Sequence, residues 1–173
     1  MLRSICYALL LSHDIRRDVH VWISVRDECG RGGILELRGD TLRHLRPDET
    51  TSWGILRKGL TKLRRLKDGV SKRAHHGLLV YKIDVGGAIA LMRPSKCLII
   101  ERRGGLGPKL KSLKGGSLLI VLNMDESTFT YGEINEITRK VKDVVRLGMG
   151  NYDLTLDQTV AVINWLLDEY CGT

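Results

Sequence analysis

Two uninterrupted apolar runs limit the folds open to this chain: Cys97–Glu101, CLIIE, and Ser117–Leu122, SLLIVL. A strand with one wet face alternates apolar and polar residues. A continuous run is buried on both faces, which suits a parallel sheet covered by helices. Around these runs, helical and strand patterns alternate. Helix-like segments fall at about Leu2–Ile15, within Gly39–Leu66, at Gly86–Met92 before Pro94, at Glu133–Arg139 and at Asp157–Tyr170. The last opens on a capping-box pattern, Thr155 to Gln158. Its apolar stripe is Val160, Ile163, Leu167 and Tyr170, widened by Val162 and Leu166. Strand-like segments fall at His20–Val25, Ile34–Leu37, Leu78–Ile83 and Val141–Arg146, and Lys67–Gly77 and Gly104–Gly116 read as basic, glycine-containing loops. The order predicts an α/β fold, a mostly parallel sheet with helices on both faces. At 173 residues the chain fits one domain, 1–173, with a sizeable core.

Gly39–Leu66 carries the densest chemistry. It begins with a polar entrance, Arg43, His44, Arg46, Asp48 and Glu49 around Pro47, and continues as an amphipathic helix. Pro47 suits the first helical position, and Asp48 and Glu49 suit the first turn, where carboxylates complement the helix dipole. Trp53, Leu56, Leu60 and Leu63 form the expected apolar stripe, with Arg57, Lys58, Lys62, Arg64 and Arg65 away from it. An ordinary solvated surface helix has the same pattern.

The net charge of +8 is unevenly spread. Lys and Arg against Asp and Glu number 8 to 8 in residues 1–49, 16 to 3 in residues 50–115, and 4 to 9 in residues 116–173. A basic middle and an acidic end point to a polyanion-facing surface, most simply RNA or DNA, or else to a solubility device. Aromatics, at 5%, are too few for a base-stacking platform. Cys6, Cys29, Cys97 and Cys171 form no C-x-x-C, and the five histidines show no metal-ligand spacing, so no metal is expected and reduced thiols in a cytoplasm are the default. The apolar N-terminus is too short for a signal core with a cleavage site, and no run reaches membrane-spanning length. No phosphate-binding glycine motif occurs. What remains is a pair of apolar strands running into small, polar loops: LIVL into Asn123–Ser127, and VVRL into Gly148–Tyr152. In an open α/β sheet, ligands sit beyond such carboxyl ends. A ligand without phosphate, such as S-adenosylmethionine, would suit these loops, which are equally plain strand–helix connections.

Leu9–Val19, LLLSHDIRRDV, and Leu37–Leu60, LRGDTLRHLRPDETTSWGILRKGL, together resemble the archaeal tRNA pseudouridine N1-methyltransferases of the SPOUT superfamily. Arg146-Leu147-Gly148, Tyr152 and VINWLLDEY resemble that family's cofactor loop and final helix, and Cys97–Gly104 is a weaker match. The resemblance implies a SPOUT-type C-terminal trefoil knot and a homodimer through the N-terminal helix and Val160–Tyr170. It also implies S-adenosyl-L-methionine as cofactor and N1 of the pseudouridine at tRNA position 54 as substrate. Carried over position by position, the cofactor pocket is Ile100, Asn123, the loop Leu147, Gly148, Met149, Gly150, Asn151 and Tyr152, then Leu154 and Thr159. The substrate side is Arg16, Arg17, Asp18, Arg46, Asp48 and Glu49. Asp18, then Asp48, is the candidate catalytic carboxylate. Arg57, Lys58 and Arg64 join Arg16, Arg17, Arg46 and Glu49 on the RNA path. Three departures stand beside the match. The family's first strand is expected to be missing ahead of Met1. Asn123-Met124-Asp125 replaces a Gly-Asp-His loop, and Thr159 stands where relatives carry Cys. They leave room for an RNA-binding relative with another RNA substrate or with lost methyltransferase activity.

Overall fold

Strand pairing separates the molecule into two sheets of different kind. The computed structural model describes residues 1–26, 32–101, 112–124, 129–150 and 153–171. Within them the chain divides into two compact units, Met1–Ala88 and Ile89–Thr173.

The first unit holds helix α1 (Leu2–Leu9), strands β1 (His20–Arg26) and β2 (Gly32–Arg38), helix α2 (Glu49–Leu63), and strands β3 (Ser71–His75) and β4 (Leu78–Tyr81). The division falls within helix α3 (Val85–Met92). Its sheet runs β1-β2-β4-β3, and every pair is antiparallel. This corrects the expectation of one mostly parallel sheet. The reason is the connection His76-Gly77: His75 pairs with Leu78, so two residues join β3 to β4, and so short a link joins only antiparallel strands. Gly77 takes φ +69, the left-handed conformation such turns need. The same feature hid β3 in the sequence. SKRAH is an edge strand with its first three residues exposed, and it lacks the apolar alternation of a half-buried strand.

One face of this sheet carries the core. Ile23, Leu35, Leu37, Leu78 and Val80 pack with Ile5 and Leu9 of α1 and Ile55, Leu56 and Leu63 of α2. The stripe of α2 is therefore Ser52, Ile55, Leu56, Gly59 and Leu63, and Trp53, expected on it, is 48% exposed. Gly59 is there because the helix lies close to the sheet: a Cβ would come within 2.9 Å of Leu35 and 3.1 Å of Leu78. Helix α1 stops at Leu9, well short of Ile15. Leu10 bridges back to Ile15, and the Asp14 carboxylate accepts from the Ile15 N–H, an alternative to helix that Asp offers its own backbone.

The opposite face holds a polar cluster that hydrophobic patterning did not indicate. Glu36, 4% exposed, sits between core-facing Leu35 and Leu37, and its carboxyl accepts from the Tyr81 hydroxyl and lies 3.1 Å from His20 Nδ1. The Tyr81 ring stacks on Trp22, the cross-strand partner of Glu36. Burial, then the hydrogen bond to Glu36, raises the Tyr81 phenol above its ordinary range. The folded state thus holds the phenolic proton more tightly than the unfolded chain. That contribution is intact below about pH 10 and is lost as pH rises past it. Tyr81→Phe should cost about 2 kcal/mol at neutral pH, the worth of a donor to a buried carboxylate. It should also remove a late-ionising tyrosine from an absorbance titration. An unchanged titration would refute this reading of the cluster.

The second unit holds strands β5 (Lys96–Glu101) and β6 (Leu118–Val121), helix α4 (Tyr131–Thr138), strand β7 (Asp143–Gly148) and helix α5 (Leu156–Cys171). Here the parallel sheet is as expected, in the order β6-β5-β7. Cys97, Leu98, Ile99 and Ile100 of the central strand are all buried, so both faces of the strand are covered. Ile163 and Leu166 of α5 pack with Leu98, Ile100, Val145 and Leu147 on one of them. Helix α4 begins at a full capping box, Thr130 with Glu133. At α5, Gln158 accepts from the Thr155 N–H as the capping pattern requires, while the Thr155 hydroxyl donates to Asp157. The side chain of Tyr170 lies outside the described residues.

Candidate functional site

The carboxyl ends of β5, β6 and β7 and the start of α5 come from one unit, and there the expected cofactor residues gather. Ile100 pairs with Leu147 and Glu101 with Gly148, so the ends of the two strands are level. The Met149 N–H continues the ladder to the Glu101 carbonyl, and Arg146 pairs with the Glu101 carboxylate at 3.4 Å. Ile100, Leu147 and Met149 are 7%, 1% and 5% exposed and belong to one apolar core cluster. Asn123 follows β6 by two residues and is half-buried, and Leu154 packs against the same core. Thr159 is buried in the second turn of α5, its N–H donating to the Thr155 carbonyl. Gly150 turns the chain at φ +72 just after the strand. Asn151 and Tyr152 lie outside the described residues. In the order β6-β5-β7 the chain leaves β5 to one side and then crosses back from β6 to β7 on the other, and the crevice where the strand order reverses in this way is where α/β sheets hold ligands.

The expected substrate residues lie on the first unit, and hydrogen bonds divide their roles. Arg17 bolts one turn to another: it donates from Nη1 to the carbonyls of Gly39 and Leu42 at 3.2 and 3.4 Å, and from Nη2 to Asp14 at 2.7 Å. Backbone donation from Ile15, then Arg17, holds the Asp14 carboxyl below its usual range. Arg16 is half-buried, and Asp18 is exposed on the turn before β1. Asp48 is the N-cap of α2, two positions earlier in the helix than expected, so Pro47 precedes the helix rather than opening it. Its carboxylate accepts from the Thr51 N–H at 2.6 Å and the Thr51 hydroxyl at 2.8 Å, and the first of these chiefly lowers its pKa. A carboxylate stabilised in this way is a weak base. Glu49 pairs with Arg3 of α1 at 3.6 Å, with both side chains exposed. Arg46 is exposed, and its carbonyl lies 3.5 Å from Cys6 Sγ, which also sits 3.2 Å from the Ser52 hydroxyl. Between Leu42 and Leu45, both buried, His44 takes φ +63, a conformation uncommon outside glycine.

Arg57 and Lys58 line a groove beside α2, whereas Arg64 is the helix C-cap. Lys72, on the strand missed in the sequence, lines the same groove. No group of three or more metal-ligating side chains occurs among the described residues, and no helix there is long and apolar enough to cross a membrane. Burial pushes the Cys97 thiol up to about 11, which keeps it a packing residue and not a nucleophile.

Comparison with known proteins adds kinship to this geometry. The chain is 27% identical over 146 residues to the tRNA (pseudouridine(54)-N(1))-methyltransferase of Haloferax volcanii, covering 84% of this chain and 71% of that protein. It is 38% identical over 60 residues to the enzyme of that name from Methanococcoides burtonii, covering 35% and 30%. With the Methanosarcina acetivorans enzyme it shares 39% over 66 residues, covering 38% and 31%. The chain thus spans about a third of the length of the latter two relatives. No protein-family model matches it. Among solved structures, Archaeoglobus fulgidus Nep1 bound to S-adenosylhomocysteine matches with a TM-score of 0.65 and 15% identity, over 99% of this chain and 70% of that one. The likeness in fold extends over nearly the whole chain, and the resemblance to the archaeal tRNA pseudouridine N1-methyltransferases stands.

Proposed function

We propose that this chain is an S-adenosyl-L-methionine-dependent tRNA methyltransferase that acts on N1 of the pseudouridine at position 54. The observation that carries the proposal is the alignment with the Haloferax enzyme, which runs through 84% of the chain and so includes both units. The fold likeness to a protein bound to S-adenosylhomocysteine supports the choice of cofactor.

The residues at the carboxyl ends of the parallel strands fit that cofactor. Buried Ile100, Leu147 and Met149 offer an apolar wall for a flat purine, and the turn at Gly150 brings backbone groups close. Asn123, Gly148, Asn151, Tyr152, Leu154 and Thr159 complete the proposed pocket. When bound, the cofactor supplies an electrophilic sulfonium methyl. The chain's own work is positioning, since an in-line displacement needs the acceptor held on axis. N1 of pseudouridine bears a proton that must leave, and a carboxylate within hydrogen-bond reach would accept it. Because Asp48 is engaged as a helix cap, Asp18 is the better acceptor of the two. Arg16 and Arg46 would hold phosphates of the tRNA arm, while Arg17 and Glu49 shape the segment that presents them. In this reading the whole chain works as one cytoplasmic domain with a C-terminal trefoil knot. It pairs as a homodimer through α1 and Val160–Tyr170. Tyr7 at 51% and Trp165 at 61% exposure, on those two helices, support that pairing.

The test is incubation with tRNA and S-adenosyl-L-methionine followed by nucleoside mapping, alongside thermal unfolding with cofactor. Methyl transfer to position 54 is expected. Cofactor at a hundred times its dissociation constant should stabilise the fold by about 2.7 kcal/mol. No methylated nucleoside, no thermal shift and no calorimetric heat would together overturn the proposal.

A further inference from the structure

Helix α2 and the edge strand β3 enclose a groove of about 680 Å³ within the first unit. From the helix come Arg57, Lys58 and Lys62, from the turn after it Arg65, and from the strand Lys72. Strand register explains the fifth cation. Lys72 pairs with buried Val80, so it shares the sheet face on which α2 lies, and at the edge it reaches past the core to the side of the helix. The lining holds five cations and no carboxylate, with Leu66 as its apolar member. Gly54 opens one end: a Cβ built there meets nothing within 4 Å.

From this geometry we infer that the groove is a track for the phosphodiester backbone of the RNA substrate, an inference that rests on the tRNA reading above. From Gly54 to its end at Leu63 the helix rises about 14 Å, and Arg65 follows just beyond. A strand with one charge per 3.4 Å of axis presents about four phosphates along that rise, comparable with the five cations of the whole lining. A single phosphate would leave most of that charge unmatched. A helix that lies on a membrane inserts large apolar side chains beside its cations, whereas five of the eight residues lining this groove are cations and Leu66 is its one large apolar member. Contacts to phosphate fix the orientation of a nucleic acid without reading its bases, so the groove would set where the tRNA arm lies and leave base choice to the residues around Asp18.

Gly54 supplies a test that leaves the fold intact. Gly54→Glu places a carboxylate in open space, one helical turn before Lys58, where it pairs with that cation; Gly54→Lys adds a sixth positive charge. With a fluorescent tRNA transcript, Gly54→Glu should weaken binding about tenfold and Gly54→Lys should tighten it. The pair Arg57→Gln with Arg65→Gln should lower the slope of log affinity against log salt by about two. Lys140→Gln with Lys142→Gln, an equal loss of charge at exposed positions of the second unit, should change binding little. Binding of S-adenosyl-L-methionine by calorimetry should be the same in every variant. Unaltered tRNA affinity in the groove variants, an equal loss in the Lys140 and Lys142 control, or binding to anionic phosphatidylserine vesicles in place of tRNA would overturn the inference. Groove-dependent tRNA binding by a protein that takes no cofactor would sustain it while removing the methyltransferase reading.

Discussion

Gly39→Ala should destabilise the first unit by about 3 kcal/mol, because the added methyl has no space and its neighbours cannot retreat. A Cβ at Gly39 would lie 2.0 Å from the Arg16 carbonyl oxygen and 2.5 Å from that of Val19. Both belong to backbone already tied down: the Arg16 N–H donates to Leu9 at 2.7 Å, and the Gly39 N–H donates to Val19 at 2.9 Å. Arg17 further fixes the approach by holding the Gly39 carbonyl. Relief would have to come from displacing the whole segment from Arg16 to Val19. Gly77 closes the same turn from the other side, its Cβ position 2.3 Å from the Leu42 Cα, so Gly77→Ala should be comparably severe. Gly54→Ala, in an open helical position, should instead stabilise by up to about 1 kcal/mol. Thermal unfolding followed by circular dichroism separates these outcomes, with a fall of about 10 °C expected for Gly39→Ala. A midpoint within about 2 °C of the parent, the effect of less than about 1 kcal/mol, would show that the contact relaxes. The displaced segment carries Arg16 and Asp18, so residual folded protein should lose methyl transfer while retaining cofactor binding.

That turn also marks the limit of what periodicity reveals. The continuous apolar run of β5 reflects burial on both faces, which leaves no room for polar residues. The run of β6 also marked a strand, but that strand lies at the sheet edge and all four of its residues are only half-buried, which corrects the expectation of burial on both faces. The stripe of α2 was legible in kind and slightly wrong in phase. A tryptophan looks like core, yet Ser52 and Gly59 occupy buried positions beside Ile55, Leu56 and Leu63: at Gly59 the helix lies too close to Leu35 and Leu78 for a larger residue, and Ser52 faces the Cys6 thiol. Edge strand β3 was unreadable as a strand, since its stability comes from pairing with β4 rather than from its own side chains. Glu36 went unnoticed for a related reason: its satisfaction by Tyr81 and His20 depends on partners 45 and 16 residues away. The position of the expected cofactor residues at the carboxyl ends of the parallel strands was more legible, because a strand that ends in small residues signals its loop whatever its partners do. The polar entrance fell between these cases. Its residue types were evident, but whether Asp48 would be free or spent on a cap depended on where α2 begins, a boundary two residues from the expected place.

Gly150 tests the proposed cofactor end by backbone conformation alone. Its φ of +72 lies in the left-handed region, directly after the buried pair Gly148 and Met149. A β-branched residue held there costs about 1 to 3 kcal/mol, whereas asparagine tolerates the conformation and alanine falls between them. If the turn must keep this shape to present backbone groups to S-adenosyl-L-methionine, the strain becomes a loss of affinity. Each 1.4 kcal/mol is tenfold, so Gly150→Val should weaken binding by about 10- to 100-fold, Gly150→Ala by less, and Gly150→Asn least. Affinity for tRNA should hold across the series, because the α2–β3 groove lies in the first unit. The ranking is the informative part. A pocket insensitive to backbone shape would respond to side-chain bulk, and asparagine, bulkier than alanine, would then bind worse than alanine. Calorimetry that places alanine above asparagine would therefore remove the turn from the cofactor site, while leaving the apolar wall of Ile100, Leu147 and Met149 to be tested separately.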